Sequence, residues 1–404
     1  MMASPQKRIY FDHSATTQVL PEVLEEMKPY FLEKFGNASS IHSYGREART
    51  AMEGARRSVA SLLNADPKEI IFTSGGTESD NLAIKGVAMY KGRMKGHIIT
   101  SRIEHHAIIE PCVYLKRFGF EVTEVPVSRD GIVNLEDVEK AVRDDTVLIT
   151  IMTANNEMGA IQPIREIGKL ARDSGIPFHT DAVQAAGKLP IDVKADNMDL
   201  LSISAHKFHG PKGVGALYVK TGTKIEAQIQ GGGHERGLRS STENVPGIVG
   251  MGKASEIARR DFDKTTAKMR ALRDKMIKAV PDLVPRSYVN GHLVQRLVNN
   301  ASFRFDFIEG EGLILSLDMK GIAASTGSAC STGSLEPSHV LLALGLTHEQ
   351  AHGSLRITLG RENTEEEVDY FLNVLPDVVR KLREISPFSS ERPMGAGEGG
   401  SCVQ

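Results

Sequence analysis

From about Asn64 to Lys220, short apolar runs alternate with longer stretches of helical periodicity, and this alternation is the feature that most constrains the fold. The runs are Glu69–Thr73, His97–Ser101, Thr146–Met152, Ile176–Thr180, Asp199–Ser204 and Val214–Val219. Segments such as Ile164–Ser174 (IREIGKLARDS) lie between them with apolar residues at helical spacing. Strands and helices in strict alternation imply βαβ units, hence an α/β fold with a mostly parallel central sheet and helices on both faces. In such a sheet, ligands sit at the carboxyl ends of the strands.

After about Gly250 the texture changes. A long charged helix is expected over Ala254–Val280, then a looser mixture of strands and helices. We therefore expect a large α/β domain over residues 15–260. Residues 1–14 and 261–386 form a smaller α+β domain in this reading, and 387–404 a Gly/Ser/Pro-rich flexible tail. A length of 404 residues suits two cores. The formal net charge of −2 gives no electrostatic reason to expect nucleic acid or an anionic membrane. No apolar run approaches the ~20 residues that span a bilayer. Neither a secretory nor a transit pattern opens the chain. The three cysteines, Cys112, Cys330 and Cys402, form no C-x-x-C pair, so free thiols in the cytoplasm are expected.

Several strand ends carry chemistry. Ser74-Gly75-Gly76-Thr77 follows the first run and opens a helix, where free N–H groups and a positive dipole end suit a phosphate; a plain helix cap is the ordinary alternative. Asp181 follows the run IPFHT, where a carboxylate could charge a pyridine nitrogen or simply cap a helix. Gln184 lies three residues on, within reach of a ring oxygen if a helical turn begins there. Lys207, in Ser204-Ala205-His206-Lys207, emerges at the next strand end, where a partly buried amine can hold an aldehyde as a Schiff base. His206 and His209 have no third partner that would make them a metal site. Phosphate turn, aspartate and lysine at successive strand ends are together what pyridoxal phosphate requires. His105 faces the same crevice and could stack on a ring and exchange protons. One of Asn155 and Asn156 could contact the cofactor or a substrate carboxylate. Cys330 sits among small residues in ASTGSACSTGS, the setting of a thiol on a mobile arm, whereas Cys112 falls in an apolar helical pattern and reads as buried.

With these residues in hand, the chain resembles the cysteine desulfurases of the iron–sulfur and nitrogen-fixation type, from about Ile9 to Ser386. The matching stretches are YFDHSATT (from Tyr10), TSGGTESDN (from Thr73), NNEMG (from Asn155), HTDAVQ (from His179), SAHKFHGPKGVG (from Ser204), GGGHERGLRSST (from Gly231) and STGSACSTGSLEP (from Ser325). The resemblance implies the fold-type-I architecture of pyridoxal phosphate enzymes and a homodimer. It implies L-cysteine as substrate, L-alanine as product and a persulfide on Cys330.

Lys207 would hold the cofactor aldehyde, Asp181 the ring nitrogen and Gln184 the ring hydroxyl. Gly76, Thr77, Ser204 and His206 would hold the phosphate, with Thr242 reaching the partner subunit's phosphate. His105 would stack on the ring and carry acid–base work, Asn156 would lie near cofactor and substrate, and Arg356 would clamp the substrate carboxylate. A sulfur acceptor such as an iron–sulfur scaffold follows, with Cys330 able to share in cluster coordination there; a tRNA-thiolation protein is another acceptor. Selenocysteine lyase and aminotransferase-like activities are the neighbouring alternatives, and a non-catalytic scaffold is disfavoured by the intact lysine, aspartate, histidine and cysteine. The chain departs from the family in three places: Ser241 stands where many members have glycine, Ala38 where proline is common, and the tail after Pro387 does not resemble the family's scaffold-docking C-terminus.

Overall fold

The computed structural model describes residues 8–327 and 337–386. The chain begins with β1 (Ile9–Tyr10), which belongs to a separate two-stranded sheet. The central sheet has seven strands: β2 (Ile70–Thr73), β3 (Gly96–Ser101), β4 (Phe120–Val125), β5 (Thr146–Thr150), β6 (Phe178–Asp181), β7 (Leu200–Ser204) and β8 (Gly215–Val219). Their order is β2-β8-β7-β6-β5-β3-β4, with β8 alone antiparallel to its neighbours.

The apolar runs become buried strands, because a strand covered on both faces needs no polar side. Five of the central strands are buried at every position. β4 was not expected from the sequence. It is one of the two edge strands, buried at its ends Phe120 and Val125 alone, and its two glutamates disguise the pattern. Helices cover both faces, and two apolar clusters lie against the sheet, one around Ile149, Phe178 and Ile203, the other around Ile71, Ile98 and Leu148.

The expected helix over Ala254–Val280 is two helices, Val245–Arg260 and Phe262–Leu283, parted at Asp261. The Asp261 carboxylate is held by Arg260 at 2.8 Å and by Arg361 at 2.7 Å, so the break serves as an anchor for a distant loop. Beyond it, β9 (Ser287–Val289), β10 (Asn300–Phe305) and β12 (Ser354–Thr358) form an antiparallel sheet, while β11 (Ile322–Ala323) pairs in parallel with β1. These strands and the helix Glu365–Ile385 share a third apolar cluster around Phe11, Phe303, Phe305 and Phe371. Among the described residues, no helix is long and apolar enough to cross a membrane.

Candidate active site

The strands β2, β3, β5, β6 and β7 run in one direction, so their carboxyl ends open on one edge of the sheet. A cavity of about 240 Å³ lies there. Gly76, Thr77, His105, Asn156, Asp181, Gln184, Ser204, His206, Lys207 and Arg356 all line it. Thr242 does not; its side chain is exposed, away from this cavity. Cys330 and Cys402 lie outside the described residues. Cys112 is buried in the helix His106–Lys116, and burial pushes its thiol up to about 12.

The turn after β2 delivers the helix Gly76–Ala88 with Gly75 at its N-cap and no side-chain cap, which leaves the first-turn N–H groups for a ligand. Gly76 is needed here: a Cβ would come within 2.7 Å of Val183 Cγ2. Asp181 ends β6 rather than following it, and its Oδ1 accepts from Val183 N at 2.8 Å, an Asx turn in place of a helix cap. Burial raises this carboxyl, and raises its buried neighbour Asp80 further because the Asp181 charge adds to desolvation.

Lys207 closes the short 3-10 turn Ala205–Lys207 after β7, with Nζ donating to the Ser14 carbonyl and, at 2.9 Å, to that of Ala15. Gln184 Nε2 donates to the same Ser14 carbonyl at 3.0 Å. His206 Nδ1 lies 3.1 Å from Thr16 Oγ1. His105 caps the helix His106–Lys116, its Nδ1 accepting from Ala107 N at 3.1 Å. Burial, reinforced by the Lys207 charge, pushes its imidazole down to about 4, so it is neutral with the proton on Nε2.

Asn155 and Asn156 separate cleanly. Asn155 is structural, bonding the Ile103 carbonyl and the amides of Glu157 and Met158, while Asn156 faces the cavity. Arg356 stands on β12, 2% exposed, and so is no surface ion-pair residue. Its Nη2 meets Asp12 Oδ1 at 2.9 Å and its Nη1 the Asn156 carbonyl at 3.3 Å.

Asp12, Ser14, Ala15, Asp80, Glu104 and Lys188 belong to this neighbourhood without having been singled out from the sequence. The first three fall in YFDHSATT, where the bare cluster of small polar residues was the available signal. Buried Asp80, Glu104 and Lys188 read as surface charges in a linear chain, because nothing local to them announces burial.

A family model, aminotransferase class-V, matches residues 9–371. The chain belongs to that family, among its cysteine desulfurases. The cysteine desulfurase IscS of Clostridium botulinum (strain Hall) is 54% identical over 384 residues, 94% of this chain and 96% of its own. That of Methanosarcina thermophila is 54% identical over 389 residues, 96% of each chain. Among solved structures, a NifS-like protein matches at a TM-score of 0.87 and 44% identity, over 93% of this chain and all of that one. SspA, solved in complex with cysteine, matches at 0.78 and 38% identity, over 89% of this chain and all of that one.

Members of the family depend on pyridoxal phosphate, and the residues present suit it. An uncapped helix N-terminus with no room for a Cβ at Gly76 takes a phosphate. A buried carboxylate lines the cavity, and Gln184 Oε1 is buried without a hydrogen-bond partner, ready for a polar ligand. The lysine that could bond an aldehyde lines the same cavity.

Proposed function

We propose that this protein takes the sulfur of L-cysteine as a persulfide on Cys330, releases L-alanine, and passes the sulfur to an acceptor protein that builds iron–sulfur clusters. The observation that carries this reading is the convergence of Lys207, Asp181, His105 and Arg356 on one cavity at the strand ends. Bound there, pyridoxal phosphate supplies an electron sink for charge developing at the substrate α-carbon.

The protein's own groups do the rest. Asp181 holds the ring nitrogen protonated, Gln184 binds the ring hydroxyl, and Gly76, Thr77, Ser204 and His206 bind the phosphate. Lys207 holds the aldehyde, and its amine, once displaced by the substrate, moves the Cα proton. Arg356 and Asn156 orient the substrate carboxylate. Neutral His105 accepts the proton of the substrate thiol. The Cys330 thiolate then attacks the substrate sulfur. An S–S bond forms as the Cβ–S bond breaks, carbon keeps the electron pair, and a proton completes the alanine methyl.

Thr242 serves the site of the other subunit in a homodimer. That assignment is supported by its exposure outside its own cavity and by the exposed apolar side chains Leu32, Phe35 and Ile41 (83%, 66% and 91%). The two-domain division near residue 260 is supported by the separate apolar cluster around Phe303. On a shared scaffold Cys330 joins in holding the nascent cluster. A reactive thiolate of this kind belongs in the reducing cytoplasm.

Peptide mass spectrometry after incubation with cysteine, run beside an alanine assay, tests the reading. The expected result is one added sulfur on the Cys330 peptide and none on Cys330→Ser, which keeps its cofactor. Undiminished persulfide in Cys330→Ser moves the role to another thiol.

A further inference from the structure

Behind the cavity, on the turn that follows β6, stands a lysine that the proposed chemistry leaves unused. Lys188 is 6% exposed. No carboxylate lies within ion-pair distance of its Nζ among the described residues. It donates instead to two backbone carbonyls, Gln184 O at 3.2 Å and Lys207 O at 3.1 Å. Among the described residues it is the only donor that reaches the Gln184 carbonyl. An ammonium in so dry a place is costly, and packing alone would be served better by methionine or leucine.

The contacts close a ring. Gln184 Nε2 and Lys207 Nζ converge on the Ser14 carbonyl from the cavity side. Lys188 ties the main chains of the same two residues from behind. Gln184 and Lys207 stand on different connections, one after β6 and one after β7, and no backbone ladder joins them.

We propose that Lys188 is a positioning residue for the reaction, fixing the main chain of Lys207 against that of Gln184 so that the amine and the amide keep one spacing around the bound ring.

The inference rests on the reading of Lys207 as the residue that holds the cofactor. Lys188 also places a titratable charge behind Lys207. Burial and the Lys207 charge push it down to about 7. The other groups that face it are His206 and His209 on the β7 exit, with Glu362 at 4.0 Å from His209, and His13 and Arg361 across a small cavity.

The test compares Lys188→Met and Lys188→Gln with the parent holoenzyme. Borohydride reduction and peptide mapping first locate the cofactor. Attachment elsewhere than Lys207 sinks the function reading itself, independently of Lys188. With the cofactor on Lys207, Lys188→Met is expected to lower kcat about tenfold or more while KM for cysteine moves less than about threefold. The pH midpoint of the cofactor's visible absorbance should rise, because a positive charge leaves its surroundings. The apoprotein should take up pyridoxal phosphate more slowly. Lys188→Gln, which keeps an N–H donor but not the charge, should show the same changes to a smaller degree. If Lys188→Met does not fold, Lys188→Gln decides by the same criteria. Wild-type kcat, absorbance midpoint and uptake rate in a folded variant, with only the melting temperature lowered, would overturn the proposal and leave Lys188 a packing residue.

Discussion

Arg356 Nη2 lies 2.9 Å from Asp12 Oδ1, and the guanidinium is nearly closed off from solvent while the carboxylate sits at the rim. The pair joins β12 to the segment after β1, so the guanidinium is held at the cavity by the fold itself. Its Nε is buried without a partner, so donors remain for a second carboxylate. Arg356→Lys keeps the charge and loses the fork. KM for cysteine should rise about tenfold or more, roughly 1.4 kcal/mol, with a smaller change in kcat. Asp12→Asn keeps an acceptor in the same place and should change KM by less than about threefold. Steady-state alanine release measures both, and an unchanged KM in Arg356→Lys would remove Arg356 from substrate binding.

His179 sits directly beneath Asp181 on β6, fully buried, with Nδ1 at 2.8 Å from Thr150 Oγ1 and Nε2 at 3.0 Å from Ser202 Oγ. Burial pushes its imidazole down to about 3 from 6.5. The unfolded chain therefore binds a proton that the folded chain refuses, and stability falls as pH drops through the unfolded value. Between about pH 6.5 and 4.5 this one group removes about 2–3 kcal/mol. His179→Gln should show a correspondingly shallower loss when urea unfolding at the two pH values is compared under saturating cofactor. Equal losses in parent and variant would show that His179 charges in the folded state.

Cys112 should stay silent toward thiol reagents. Its thiol is 3% exposed, and burial pushes it up to about 12, so almost no thiolate exists at pH 8. Iodoacetamide on the folded protein should leave the Cys112 peptide unmodified over an hour, and label it within minutes in guanidinium. Rapid labelling in the folded state would show that the helix His106–Lys116 opens.

The sheet and its cavity were legible because their signals are local: a strand buried on both faces is a continuous apolar run, and the groups at its end follow within a few residues. Gly76, Asp181 and Lys207 were found in this way. What escaped has a non-local cause. β4 hides because it is buried at its ends alone, with two glutamates between them. The break at Asp261 receives Arg361, a hundred residues away in sequence, a contact that no local pattern announces. Lys188 is held by the carbonyls of two separate connections, and in a linear chain it is one lysine among many. Arg356 was reached through resemblance; its spacing from the other groups gives no hint that β12 brings it to the cavity.

Ser241, expected from the resemblance to stand where glycine is common, adopts a backbone conformation that glycine tolerates best. Its φ is 148°, outside the range a side chain prefers. Its N–H donates only a long bond, 3.4 Å to His234 Nδ1, and the side chain is exposed, so little compensates the strain. Backbone strain of this kind costs about 1–3 kcal/mol, whereas glycine adds about 0.5–1 kcal/mol of unfolded-state entropy. The strain is the larger effect. Ser241→Gly should therefore raise the unfolding free energy by about 1 kcal/mol, and Ser241→Ala, which keeps the Cβ, should leave it unchanged. Urea unfolding of the two variants beside the parent measures the difference. A Ser241→Gly protein less stable than Ser241→Ala would show that the loop gains more from a stiff chain than it loses to strain.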